Sequence, residues 1–331
     1  MTHTMRVVLF LLLLAPLGAP AAGQTPPRRG EWMRQAGFGV FMHYLADKPD
    51  LSVDEWNRLI DGFDVEGLAA QLSSVQARYF FITLGQNSGH YLSPNRTYDE
   101  IVGIQPSKCS RRDLVADLAA ALTKRGIRLM VYLPAGAPDR DEVAMRKLEW
   151  RTGPYRNAEF QKKWERVIAE WSTRWGKRVS GWWFDGCYWP NAMYRSPQPP
   201  NYASFAVAAR KGNPDSLVAF NRGVVHPIHP ESAEEDYTAG ETDNPEMISR
   251  NGKFWEDVSQ FHVLTYLGKW WCGAPARFSD ADVVRFTRMA LARGGAITWD
   301  IPRDARGLIP EPFLSQLKLA GAEAASRRPP R

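Results

Sequence analysis

Residues 181–189 read GWWFDGCYW and place one carboxylate, Asp185, among five large aromatic rings. Aromatic rings offer flat apolar surfaces for the C–H faces of a sugar. A carboxyl group can attack the anomeric carbon when ionised or protonate the glycosidic oxygen when it carries a proton. Gly186 follows directly, and its missing side chain would let a ligand approach the carboxylate closely. The same Asp-Gly pair also begins ordinary turns. Asp185 is therefore either a turn residue or a reactive group in a sugar-sized aromatic pocket.

Two glutamates downstream of Asp185 are candidates for a second catalytic carboxyl group. Glycoside hydrolysis usually requires one carboxyl group that attacks or polarises and one that donates a proton. Glu241 lies in EDYTAGE, directly after a glycine and just beyond a candidate strand. Glu256 lies in FWED, where two aromatic neighbours would shield a carboxyl group and raise its pKa. Spacing alone leaves both candidates open.

Polar residues also follow several other short apolar runs. His43 ends GVFMH, Gln86 and Asn87 follow YFFITLG, and Arg222 follows LVAFN. In barrels of parallel strands the reactive groups lie at the carboxyl ends of the strands. A lone histidine among apolar residues is more often a satisfied core group, so the strand-end position is what makes His43 a candidate. We expect these side chains to face the same side of the fold as Asp185.

The apolar runs themselves predict the elements that position these residues. Eight candidate strands cover residues 37–43, 79–84, 128–133, 181–185, 217–221, 236–238, 261–266 and 296–301. Segments of helical period lie between them, at 65–75, 112–124, 159–175, 202–211 and 280–293. Asp280 is a plausible N-cap, and Gly126 and Gly294 are plausible C-terminal stops. This alternation predicts a single-domain α/β fold, a (β/α)8 TIM-type barrel over residues 30–326.

The aromatic strand at 181–185 has a predictable orientation. Because side chains alternate along a strand, Trp183 and Asp185 should point into the barrel together. Trp182 and Phe184 should then point outward and pack against helices. An open doubly wound sheet is the alternative fold, but the first strand–helix turn lacks a GxGxxG phosphate loop. The sequence likewise predicts no cofactor.

Metal binding is not predicted. His226 and His229 in HPIHPE could be imagined as ligands together with Glu231. The flanking prolines favour an extended loop, and no further cluster of ligands is evident. The three cysteines, at 109, 187 and 272, have no CxxC spacing and indicate neither a zinc knuckle nor a disulfide framework.

Composition limits the partners and the location. The formal net charge of +6 equals the charge of the six arginines that lie outside residues 30–326, so the net charge of the folded part is formally zero. A neutral body lacks the basic face that nucleic-acid binding requires. Residues 1–22 combine a basic start, an apolar run and small residues, which predicts a signal peptide and a secreted or periplasmic protein. No later stretch is long and apolar enough for a membrane span, and residues 327–331 form a basic tail.

Five segments, in this order, resemble the α-L-fucosidases of glycoside hydrolase family 29: GFGVFMHY, FDVEGLAAQLSSVQARYFFITL, GWWFDG, DYTAGE and GGAITWDIPRDARGLIPE. The resemblance covers roughly residues 32–321 and implies a barrel with a retaining, two-step mechanism. It implies that Asp185 is the nucleophile and that His43, Trp183 and Arg222 lie at the bound sugar. It places the acid/base at Glu241 or, as in other members, at Glu256, and Glu241 is preferred.

The sequence also departs from the family pattern. Where members typically have KHHDGF, this chain reads GQNSGHY, so Gln86 and Asn87 take the positions of two histidines. Amides can bond sugar hydroxyls but cannot be charged. The chain also ends just after the barrel, without the β-sandwich that many members carry. The leading hypothesis is a secreted glycosidase for α-L-fucosides or a related deoxysugar. The alternatives are a non-catalytic carbohydrate-binding barrel and an enzyme for a different sugar.

Overall fold

Seven parallel strands form one sheet in the computed structural model, which describes residues 28–46, 48, 50–150, 157–188, 195–250 and 259–327. The strands are β1 Phe38–Met42, β2 Tyr79–Thr83, β3 Arg128–Pro134, β4 Val179–Asp185, β5 Leu217–Phe220, β6 His262–Tyr266 and β7 Ala296–Ile301. Their order is β5-β4-β3-β2-β1-β7-β6. Every residue of β1, β2, β5 and β7 is buried, as expected for strands covered on both faces. The strands curl into a half-barrel consistent with the predicted (β/α)8 fold.

The prediction of a regular strand at 236–238 was wrong in detail. Residues 236–242 run between β5 and β6, but only isolated bridges form, from Tyr237 to Gln260 and from Glu241 to Leu264. A side chain here replaces a main-chain hydrogen-bond acceptor of the sheet: the Asp236 carboxylate accepts the Val218 N–H at 3.0 Å. This bridged segment nevertheless joins the two edge strands of the sheet.

Helices alternate with the strands and cover the outside of the sheet. They are α1 Glu31–Ala36, α2 Val53–Asp61, α3 Val65–Ser74, α4 Arg96–Val102, α5 Leu114–Thr123, α6 Glu142–Lys147, α7 Ala158–Trp175, α8 Tyr202–Ala209, α9 Met247–Arg250, α10 Asp280–Ala292 and α11 Phe313–Ser326. The predicted N-cap Asp280 is instead the first helical residue of α10, because the Ser279 side chain accepts the Asp282 N–H. Gly126 and Gly294 follow α5 and α10 with φ of 66° and 71°, which confirms them as stops.

Two apolar layers lie on opposite faces of β4. Trp182 packs on Trp175 of α7 with ring centroids 5.7 Å apart, and Phe184 packs on Phe205 of α8 at 4.6 Å. Trp183 lies on the inner face, with its indole N–H donating to the Ala239 carbonyl at 3.0 Å. The predicted alternation is therefore confirmed, and it carries Asp185 to the mouth of the barrel. Among the residues described, none of the helices combines the length and apolar character needed to cross a bilayer.

Candidate active site

A pocket of about 230 Å³ opens at the carboxyl ends of the strands. Five of the predicted site residues line it: His43, Gln86, Trp183, Asp185 and Glu241. They come from the ends of β1, β2 and β4 and from the bridged segment 236–242. Convergence of separate strand ends on one pocket is the arrangement expected of a barrel active site.

Hydrogen bonds hold both oxygens of the Asp185 carboxylate. Oδ2 accepts the Tyr132 hydroxyl at 2.6 Å. Oδ1 accepts the Gly186 N–H at 2.8 Å, the Asn221 amide at 2.9 Å and the Tyr188 hydroxyl at 3.2 Å. Gly186 has a φ of 81°, a conformation that favours glycine and that returns its own N–H to the carboxylate. Four donors fix the carboxylate in one orientation, and Oδ2 retains more free lone-pair capacity than Oδ1.

Asn221 places Glu241 opposite Asp185. The Asn221 Nδ2 atom lies 2.9 Å from Asp185 Oδ1 and 2.6 Å from Glu241 Oε2. The sum of these distances, 5.5 Å, is the largest separation that the two carboxylate oxygens can have. The pKa of Glu241 is raised to about 7, chiefly by burial and secondly by the nearby Asp185 charge, while the Asn221 hydrogen bond opposes the rise. The pair thus combines an anchored carboxylate with one that holds a proton near neutral pH.

Tyr132 connects the aromatic wall to Asp185. Its ring stacks on Trp183 with centroids 5.4 Å apart and planes 20° from parallel. Its hydroxyl accepts the Gln86 amide N–H at 2.6 Å while donating to Asp185. Gln86 therefore acts on the carboxylate through Tyr132.

A buried acid fixes the orientation of His43. The Nδ1 atom of His43 lies 2.8 Å from Asp300 Oδ1, and the Asp300 side chain is fully buried. The other Asp300 oxygen accepts the Cys272 N–H. A carboxylate accepts hydrogen bonds, so Nδ1 is the donor of this pair and the imidazole ring is held in one orientation. Asp300 thus connects His43 to the loop that carries Trp271 and Cys272 at the pocket wall.

Two predicted site residues lie outside the pocket wall, and a third lies outside the described residues. Arg222 is paired with Glu231 at 3.1 Å, with its side chain 42% exposed, and it is not part of the pocket wall. Asn87 also lies outside the pocket wall, and its carbonyl accepts the Arg140 N–H at 2.9 Å. Glu256 lies outside the described residues, as do residues 1–22 and the tail beyond Arg327.

Sequence reasoning missed several residues of this site. Tyr132, Asp300 and Trp271 are not among the predicted site residues, and Asn221 is predicted only as the last residue of the candidate strand at 217–221. Tyr132 and Asp300 each lie at or near the carboxyl end of a strand and point inward by the same alternation as Trp183. That alternation, applied to every strand, is the signal that would have found them. Trp271 lies in the loop after β6 and gave no such signal.

The histidines of the HPIHPE segment make local contacts. His226 Nε2 lies 3.4 Å from the Thr242 hydroxyl, and His229 Nδ1 lies 2.9 Å from the Pro230 carbonyl. Within the described ranges, no three His, Cys, Asp or Glu side chains are grouped so as to hold a metal ion.

Comparison with known proteins gives one family. The sequence profile of the alpha-L-fucosidase family matches residues 54–322. Comparison with curated protein sequences gives no match.

Solved structures of glycoside hydrolases have a similar fold. An endo-fucoidan hydrolase from glycoside hydrolase family 107 has a TM-score of 0.72 at 20% identity, over 91% of this chain and 54% of that chain. An alpha-L-fucosidase GH29 from Bacteroides thetaiotaomicron has a TM-score of 0.60 at 15% identity, over 94% and 76% of the two chains. Alpha-L-fucosidase isoenzyme 1 from Paenibacillus thiaminolyticus has a TM-score of 0.63 at 18% identity, over 90% and 76%. These identities show a shared fold, and the chain spans about half the length of the endo-fucoidan hydrolase.

Proposed function

This chain belongs to the alpha-L-fucosidase family, and we propose that it is a retaining glycosidase that hydrolyses α-L-fucosides or a related deoxysugar glycoside. The observation that carries the proposal is the carboxylate pair, Asp185 and Glu241, joined through one amide nitrogen at a sugar-sized pocket. Apolar side chains, including Phe41 and Leu264, also line the pocket. An apolar wall suits the methyl group of a 6-deoxysugar.

Asp185 is the proposed nucleophile. Its Oδ2 atom, which accepts one hydrogen bond where Oδ1 accepts three, attacks the anomeric carbon. The bond from that carbon to the glycosidic oxygen breaks, and Glu241 transfers its proton to the departing oxygen. The product of this step is a sugar ester of Asp185 and a free alcohol.

Glu241 changes role between the two steps. Its pKa of about 7 is held up partly by the negative charge of Asp185. Formation of the ester removes that charge, so the pKa of Glu241 falls and the group becomes a base. Glu241 then takes a proton from water, the resulting hydroxide attacks the anomeric carbon, and Asp185 leaves as a carboxylate.

The spacing of the carboxylates supports retention. Retaining glycosidases have carboxyl groups about 5–5.5 Å apart, whereas inverting enzymes need about 6.5–9.5 Å to admit a water molecule. The oxygens that share Asn221 lie within 5.5 Å of each other. NMR of the first sugar released from 4-nitrophenyl α-L-fucoside tests this, with the α anomer expected first. The β anomer as first product would contradict the retaining mechanism.

One observation favours the alternative, a barrel that binds sugars without hydrolysing them. Gln86 and Asn87 replace two histidines of the family pattern, and Asn87 lies outside the pocket wall. This alternative predicts sugar affinity in calorimetry and no turnover across a broad panel of aryl glycosides. Clear turnover of any member of the panel would exclude it, and turnover restricted to another sugar would correct the substrate assignment.

Export is part of the proposal. It is supported by the basic, apolar and small-residue segments of residues 1–22. Expression of the full chain in a bacterial host, followed by fractionation and N-terminal sequencing, tests it. We expect a mature chain that begins near residue 23 outside the cytoplasm, and an uncleaved cytoplasmic chain would refute export.

A further inference from the structure

An exposed tryptophan stands next to the candidate active site. The Trp270 side chain is 54% exposed, whereas every other tryptophan among the described residues is buried or half-buried. It immediately precedes Trp271 and Cys272, both of which line the pocket. Trp270 itself is not part of the pocket wall, so a sugar bound in the pocket would leave its indole uncovered. Large exposed aromatic side chains are typical of binding surfaces.

The loop that carries Trp270 is built to hold it in place. We call residues 267–277 the rim loop. At its base Gly268 and Ala276 form an antiparallel bridge, and the Arg277 N–H donates to the Leu267 carbonyl at 2.9 Å. At its tip the Gly273 N–H donates to the Trp270 carbonyl at 3.0 Å.

The indole of Trp270 lies against this backbone. A Cβ atom built on Gly273 would come within 2.2–2.5 Å of three indole atoms, so the ring occupies the space that any other residue at 273 would need. Cys272, which lies between Trp271 and Gly273, donates its N–H to Asp300, and Asp300 also binds His43. The exposed ring is therefore fixed relative to the pocket, which lowers the entropic cost of stacking a ligand on it.

We propose that Trp270 is an outer sugar-binding subsite, on which a second saccharide unit of the substrate stacks while the fucosyl unit occupies the pocket. The proposal rests on the proposed function, since it assumes a sugar in the pocket. It assigns the substrate class as an oligosaccharide or polysaccharide chain rather than a fucoside with a small aglycone. The pocket of about 230 Å³ suits one sugar unit, so further units must lie outside it.

Two substrates of different length test the subsite. α-L-Fucosyl fluoride places nothing beyond the pocket, whereas a trisaccharide with a terminal α-L-fucose reaches the rim loop. We expect Trp270→Ala to raise the KM for the trisaccharide about fivefold or more relative to the KM for the fluoride. Trp270→Phe, which keeps a flat ring, should recover most of the loss. Val207→Ala, at a residue 67% exposed on α8, is the matched surface control and should change neither KM.

The outcomes separate the subsite from the chemistry. An unchanged ratio of the two KM values in Trp270→Ala would overturn the subsite while leaving the glycosidase assignment intact. If the wild type hydrolyses neither substrate, the chemistry fails, and calorimetric titration with the trisaccharide then decides the subsite. Weaker binding by Trp270→Ala would support it, whereas equal binding, or none by the wild type, would overturn it.

Discussion

Asp185 and Glu241 face the same pocket from two walls that are built differently. Asp185 ends a regular strand, β4, and accepts four hydrogen bonds. Glu241 lies in a segment held to its neighbours by isolated bridges, and Asn221 is the donor that contacts its carboxylate. Ionised carboxylates are stabilised by donors and destabilised by burial without them. Local environment therefore divides one functional group into two roles, a fixed anion and a proton carrier.

Removal of the fixed anion should have the largest effect. Asp185→Asn keeps the size of the side chain but cannot form the ester, so we expect kcat/KM for 4-nitrophenyl α-L-fucoside to fall about a thousandfold or more. Asp61→Asn, at an exposed position that ends α2, is the matched control and should retain full activity. Equal turnover by Asp185→Asn and the wild type would remove Asp185 from the mechanism.

Removal of the proton carrier should have a smaller, substrate-dependent effect. Glu241 is protonated below its pKa of about 7, so wild-type activity should fall as the pH rises through 7. Glu241→Gln should lose that alkaline limb, and kcat/KM for an alkyl fucoside should fall about a hundredfold. The loss should be smaller for 4-nitrophenyl α-L-fucoside, because nitrophenolate leaves with little help from a proton. A pH–rate profile with an unchanged alkaline limb in Glu241→Gln would assign the proton to another group.

Weakening one anchor of Asp185 should cost less than removing the carboxylate. Tyr132→Phe deletes the hydroxyl that bonds Oδ2 at 2.6 Å, and a hydrogen bond to a charged group of this kind corresponds to about a tenfold loss in kcat. Tyr79→Phe deletes another buried hydroxyl, one that donates to the Ile297 carbonyl outside the site. It should reduce thermal stability without reducing kcat. Equal kcat losses in the two variants would mean that Tyr132 acts only through packing.

Substitution of Asn221, which joins the two walls, should have the smallest effect. The Asn221 amide donates to both carboxylates, and its bond to Glu241 lowers the pKa of that group. Asn221→Ala should therefore move the alkaline limb of the pH–rate profile to higher pH. A limb that stays in place or moves to lower pH would show that this bond does not set the protonation of Glu241.

The difference between the walls also explains what could be predicted from sequence. Seven strands were predicted to within about two residues at either end, because short apolar runs bounded by polar residues mark buried strands. The segment at 236–238 forms an isolated bridge instead of a regular strand, and the Asp236 carboxylate rather than a main-chain carbonyl accepts the Val218 N–H, a contact between residues 18 apart in sequence. Local patterns do not contain such contacts.

The same difference between local patterns and long-range contacts applies to the candidate site residues. Alternation along the strand placed Asp185 and Trp183 correctly, since it is a local property. Arg222 pairs with Glu231, and His43 binds Asp300 across 257 positions. The contact between His43 and Asp300 depends on the order of strands around the barrel, because β1 and β7 are neighbours only in the folded sheet. The sequence could therefore nominate strand-end residues but could not say which of them would meet.

Covalent trapping tests the central claim most directly. With 2-deoxy-2-fluoro-α-L-fucosyl fluoride, the fluorine at C2 slows both steps and the fluoride leaving group speeds the first, so the glycosyl-enzyme should accumulate. Mass spectrometry of the digested protein should then find one fluorofucosyl group, esterified to Asp185. A label on another residue, or turnover of α-L-fucosides by a protein that never becomes labelled, would contradict the account.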